Sequence, residues 1–404
     1  MNAMKGFHSY FLMSTEDAKR YAAEVLRFFA PAEETVCEEI GDGNINYVFR
    51  VRSVKDGRSL IIKQSDRLLR SSGRPLDQNR SRIEAAALRS EAKYVPAMVP
   101  EVYHYDEEMA AISMEDVSAY GNLRRELMAG HVYPHLGANI SDFLAETMLP
   151  TTDLAADAEE KKRQVRFFTN PELCSITEDL VLTEPYYDYK GRNLLFPGTE
   201  DFVRRCLYED EALHAEVGKL RLNFMNNPQA LLHGDLHTGS IFANAGGIKV
   251  LDPEFAFYGP MGYDIGNVIG NFFFSWAYHA FTRPDDRDVT DALASCIEEI
   301  HDLTAAKLAR RYDWLVVLPL YRAAAFRQEW LAKVMADAVG YAGTEIIRRT
   351  VGDSKVAEIS LVEDPALRIP MEKALIRFGT ALIMRRAEFR SGREITALFR
   401  RTLG

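Results

Sequence analysis

The segment from Leu231 to Glu254 constrains this chain more than any other. An apolar approach ends in the loop His233-Gly234-Asp235-Leu236-His237-Thr238-Gly239, and two short strand-like runs follow, at 240–244 and 248–252. Gly246-Gly247 between them supplies a turn. A hairpin comes back to its origin, so the return run is expected to deliver Asp252 close to Asp235, with Glu254 following across Pro253. Three carboxylates converging at one end of a hairpin repel one another unless a cation intervenes. A hard divalent ion with oxygen ligands relieves that repulsion, and Mg²⁺ shared with a nucleotide is the usual case. The alternative is three unrelated loop acids, with His233 as a buried hydrogen-bonding residue.

The flanking sequence changes character on either side. Ser14-Thr15-Glu16-Asp17 has a capping hydroxyl and first-turn acids, which predicts a helix running to about Phe29 and stopping at Pro31. Strand patterns follow at 35–40, 47–53 and 59–64, with Lys55-Asp56-Gly57 as a hairpin turn. Helical spacing over 77–94 precedes two further strands at 101–105 and 110–114. From about Gly121 the pattern is mostly helical, apart from the hairpin. The expectation is an α+β, two-lobed chain. A small antiparallel sheet with one helix occupies 1–116, and a large, mainly helical lobe occupies 117–404.

Several other residues fit a phosphate-handling site, and each has a plainer reading. Gly41-Asp42-Gly43-Asn44-Ile45-Asn46 joins the first two strands; its glycines admit a ligand to the backbone, as they would serve an ordinary turn. Lys63 ends the apolar run Leu60-Ile61-Ile62. It either pairs with an acid on the next helix, Glu84 first and Glu91 second, or snorkels to the surface. Asp264 opens a helix, as a cap or as support for the Asp235 loop. Arg348 and Arg349 sit near a helix end, where cations are favoured anyway. Neighbours point about 100° apart, so a regular helix is not expected to aim both at one ligand.

Composition removes other classes. A net charge of −10 is a poor basis for nucleic-acid binding. Cys37, Cys174, Cys206 and Cys296 have no metal-ligand or disulfide-framework spacing, which fits a reducing, cytoplasmic setting. The most apolar stretch, 267–281, is interrupted by Asn271, Ser275 and His279, so a buried helix is expected and a membrane span is not.

The Asp235 loop with an acid at the end of the following strand resembles the protein-kinase-like and aminoglycoside-phosphotransferase-like superfamily. Two departures narrow the resemblance: Ser240 stands where an Asn is usual, and Asp252-Pro253-Glu254 replaces Asp-Phe-Gly or Asp-x-Asp. Together with Gly-Asp-Gly-Asn-Ile-Asn at 41–46 and Leu-Thr-Glu-Pro-Tyr at 182–186, these resemble the S-methyl-5-thioribose kinases. That resemblance implies an ATP-dependent kinase acting on the anomeric hydroxyl of a methylthio sugar. It implies ATP held by Gly41, Asp42, Gly43, Asn44, Asn46 and Lys63, with Glu84 as the lysine's partner and adenine on backbone groups of Glu115 and Val117. Asp235 is then catalytic, Asp252 and Glu254 hold Mg²⁺, and Arg348 and Arg349 contact substrate. A homodimer is implied as well. Rival expectations are a kinase for another modified pentose, small alcohol or antibiotic, or an inactive nucleotide-binding protein.

Overall fold

Successive side chains on a strand alternate faces, and that rule organises the first part of the chain. In the computed structural model, which describes residues 6–40, 46–68 and 75–403, five strands form one antiparallel sheet. They are β1 (Thr35–Glu39), β2 (Asn46–Ser53), β3 (Ser59–Ser65), β4 (Val102–Asp106) and β5 (Ala111–Glu115), in the order β1-β2-β3-β5-β4. Phe49 and Val51 of β2 and Leu60 and Ile62 of β3 join Tyr21 of helix α1 (Thr15–Glu24) in a shared apolar core. The other face of β3 carries Lys63 and Ser65 toward helix α2 (Asn79–Glu91), whose Ser81 and Glu84 bond to them. Helices on both faces explain why β3 is buried almost throughout.

Ser14 caps α1 with a complete capping box to Asp17. The helix stops at Glu24, five residues short of the expected Phe29. Arg27 takes a left-handed φ of 52°, and the N–H groups of Leu26 and Phe28 donate back to Tyr21 and Ala22 carbonyls at 3.1 and 3.0 Å. This C-cap turns Phe29 into the core, where it is buried.

The chain divides into two units: Met1–Tyr120 with Lys249–Phe255, and Gly121–Ile248 with Ala256–Gly404. The second unit is built on long helices. Gly262–Thr282 is buried over nearly its whole length and contains the apolar stretch 267–281. It packs on Ala324–Val351, and a Cβ at Gly266 would lie 2.4 Å from the Ala338 carbonyl oxygen. Only a glycine there lets the two backbones approach so closely. No helix among the described residues is long and apolar enough to cross a membrane.

Candidate active site

The predicted site residues fall on both units, and each set is described by itself. In the first unit, Lys63 Nζ lies 2.8 Å from Glu84 Oε1 and 2.7 Å from Asp252 Oδ1. Burial opposes the Lys63 charge, but the attraction of Asp252, Glu84 and Glu254 outweighs it and raises the lysine's pKa. Burial pushes Glu84 up to about 7 despite the lysine beside it.

Asp252 and Glu254 follow the hairpin strand Gly247–Val250 and flank Pro253. Asp252 has a left-handed φ of 64°, a conformation that costs a non-glycine residue about 1 kcal/mol and is concentrated at functional positions. Its side chain is half exposed. Glu254 is buried, accepts from Asn46 Nδ2 at 3.2 Å and lies 3.5 Å from Arg80 Nε. Arg80 also donates to Asn46 Oδ1 at 3.1 Å. These two carboxylates offer hard oxygen donors two residues apart, one open to solvent and one held rigidly, which fits Mg²⁺ shared with phosphate oxygens. Among the described residues no group of three or more His, Cys, Asp or Glu side chains is arranged to hold a metal ion.

Gly41, Asp42, Gly43 and Asn44 lie outside the described residues; Asn46 opens β2. After β5 the chain is held to the sheet through Asp116, which accepts from Ser59 Oγ at 2.7 Å and faces Arg50 Nε at 3.1 Å. Glu115 donates its N–H to Glu101, and its carboxylate accepts from Lys249 Nζ at 2.7 Å. The Val117 carbonyl accepts from Tyr120 at 2.9 Å.

In the second unit the Asp235 loop is laced from within. Asp264 accepts from the N–H groups of His233 at 2.7 Å and Gly234 at 3.1 Å. Met261, not Asp264, is the N-cap of its helix, so Asp264 supports the loop and does not cap. Ser240 Oγ donates to the Asp235 carbonyl at 2.9 Å, a staple between the two ends of the loop. His237 Nδ1 accepts from the N–H groups of Gly239 and Ser240, each at 3.0 Å. That leaves Nε2 to carry the proton, and Nε2 faces Asp235 Oδ2 at 3.5 Å.

Asp235 also meets both arginines: Arg348 Nη2 at 3.5 Å and Arg349 Nη2 at 3.7 Å from Oδ1. The helix stays regular through this pair, contrary to the expectation that neighbours diverge. The reason is Glu345, one turn earlier and fully buried, which accepts from Arg348 Nε at 2.5 Å and Arg349 Nε at 3.0 Å. Its carboxylate gathers two long side chains that leave the helix in different directions. Burial works against ionised Asp235, but His237, Arg349 and Arg348 outweigh it and hold the carboxyl well below the usual range. Glu345, likewise drawn down by the arginines against burial, falls to about 2.

Arg80, Arg124, Glu345 and Glu358 were not singled out from sequence, because charged residues in helical patterns read as solvated. Arg124 Nη2 donates to Asn271 Oδ1 at 2.9 Å, and Asn271 Nδ2 donates to Glu345 Oε1 at 3.0 Å. Glu358, fully buried, faces Arg124 Nε at 3.5 Å.

A carboxylate kept ionised among guanidinium groups, and a buried lysine between two acids, are the furniture of phosphoryl transfer. The profile of the "Phosphotransferase enzyme family" matches residues 36–286. The methylthioribose kinase of Geobacillus sp. WCH70 is 38% identical over 394 residues, covering 96% of each chain. That of Exiguobacterium sibiricum is 40% identical over 364 residues, covering 88% of this chain and 90% of its own. Among solved structures, choline kinase from Cryptosporidium parvum Iowa II superposes with a TM-score of 0.50 at 14% identity, over 93% of this chain and 96% of its own; it supports the fold alone. The chain belongs to the methylthioribose kinase family of phosphotransferases.

Proposed function

We propose that this kinase transfers the γ-phosphoryl group of ATP to the anomeric hydroxyl of 5-methylthioribose, giving the 1-phosphate and ADP, a step of methionine salvage. The observation that carries the reading is Asp235, an ionised carboxylate against two arginines in a chain of this family. Phosphoryl transfer through a loose transition state rests on positioning and charge neutralisation. A carboxylate so acidic is a weak base. Asp235 therefore orients the sugar hydroxyl and takes its proton late, as the new bond forms. Arg348 and Arg349 stabilise the transferring group.

Lys63, oriented by Glu84, binds the donor phosphates. Asp252 and Glu254 would hold Mg²⁺, which offsets phosphate charge when bound. The Val117 N–H has no hydrogen-bond partner among the described residues, which supports an adenine contact there, with Glu115 supplying the other backbone group. The segment 41–46 would cover the phosphates. By family resemblance we also propose a homodimer working in the cytoplasm.

Coupled ADP release, assayed with methylthioribose, ribose and 5-deoxyribose, tests the reading. Methylthioribose is expected to be the best substrate by kcat/KM, with activity lost on chelation of divalent cations. Equal rates on all three sugars would remove the methylthio assignment, and activity on none would remove the kinase reading.

A further inference from the structure

Arg124 is a largely buried cation held beside the Asp235 loop. Arg124 is the second residue of the short helix α3 (Leu123–Met128), and one backbone and one side-chain donor tie this helix start to the loop. Its N–H donates to the Thr238 carbonyl at 3.0 Å, and the neighbouring Asn122 Nδ2 donates to the Gly239 carbonyl at 2.8 Å. Gly121 and Asn122 also pair in register with Ala243 and Phe242 on the first hairpin strand. Arg124 is thus fixed to the loop that carries Asp235, though it lies more than a hundred residues earlier in the chain.

The guanidinium is only partly used by the protein. Nη2 is committed to Asn271, and Nε faces Glu358. Nη1 has no hydrogen-bond partner among the described residues, although the side chain is only 17% exposed. A Cβ on Gly239 would lie 3.4 Å from Nη1, so the absent side chain at 239 leaves that edge of the fork uncovered. Beneath it, Asn271 links Arg124 to Glu345, the same carboxylate that gathers Arg348 and Arg349. Three arginines are therefore arranged around one loop by two fully buried glutamates, Glu345 and Glu358. Nη1 is the edge of the fork that no acceptor among the described residues faces, and an oxygen placed there gains a charge-assisted hydrogen bond.

We propose that Arg124 is a third substrate-binding arginine, which donates from Nη1 to a hydroxyl oxygen of the acceptor sugar held at Asp235. This rests on the sugar-kinase reading above. A planar fork can hold one hydroxyl while Nη2 stays bonded to Asn271 and Nε faces Glu358, which a lysine cannot do. Asn271, Ser275 and Glu358 are then the support of that contact, Ser275 Oγ donating to Glu358 Oε1 at 3.1 Å.

The test compares wild type with Arg124→Gln and Arg124→Lys, measuring KM for methylthioribose, KM for ATP, kcat and thermal midpoint. Loss of a charge-assisted hydrogen bond predicts an acceptor KM raised about ten- to a hundredfold in Arg124→Gln, with the ATP KM within about twofold. Arg124→Lys keeps the charge beside Glu358, so it is expected to fold and to show a smaller rise in the same constant. An acceptor KM unchanged in folded Arg124→Lys and Arg124→Gln overturns the proposal. So does a rise shared equally by acceptor and ATP, which marks a purely structural role. A wild type that ignores methylthioribose but phosphorylates another pentose overturns the substrate assignment alone, and the same Arg124 comparison is then decided with that pentose.

Discussion

Arg349 Nε donates to Glu345 Oε1 at 3.0 Å across one turn of a single helix, with the glutamate fully buried. Arg348 shares the same carboxylate, so one buried anion sets the direction of two cations toward Asp235. Glu345→Gln keeps the shape and removes the charge. Breaking a buried ion pair this way costs about 3–5 kcal/mol. Urea unfolding is expected to show a loss of that order, and turnover at a temperature where the variant is folded should drop more than about tenfold, since both arginines lose their anchor. A stability within about 0.5 kcal/mol of wild type would mean that the arginines are held by something else.

Lys63 and Glu84 give a second test in the first unit. Glu84→Gln removes one of the two anions against the lysine and leaves Asp252 as its partner. The expected outcome is a kcat/KM for ATP lowered by about ten- to a hundredfold, from one lost charge-assisted bond. Lys63→Met removes the cation itself and should lower it further. Equal effects from the two variants would argue that Glu84 does more than orient the lysine.

How much of this was legible in the sequence differs by residue. The sheet was, because alternation along 47–53 reports faces directly and the apolar run Leu60-Ile61-Ile62 marks a strand covered on both. Lys63 and Glu84 were, because a buried strand lysine needs an acid and the next helix supplies one. Arg80, Arg124, Glu345 and Glu358 were not. Their partners lie up to some hundreds of residues away, as Arg124 and Glu358 do, and only tertiary packing removes them from water. That Arg348 and Arg349 converge was not readable from helical spacing, for a related reason. Helical geometry fixes where two side chains start, while a shared carboxylate fixes where they end.

Asp264 carries a pH signature. Burial raises its pKa from 3.8 to about 7, even with two N–H donors on it. An acid whose folded pKa exceeds its unfolded value stabilises the fold fully below the unfolded value, and that contribution disappears as pH rises through the folded one. Between pH 3.8 and about 7, wild type should therefore lose stability relative to Asp264→Asn, by on the order of 1 kcal/mol per pH unit, and the difference should level off above. A difference that grows in the opposite direction would show that the two N–H bonds, not burial, govern this carboxyl.

In the proposed reaction Asp235 is the group that handles the acceptor hydroxyl. Asp235→Asn preserves size and one acceptor oxygen while removing the charge. Steady-state turnover with methylthioribose, measured beside ATP affinity by calorimetry, is the direct test. Turnover reduced by about 10²-fold or more, with ATP affinity within about threefold of wild type, is the predicted result. Near-normal turnover in the Asn variant would contradict the assignment.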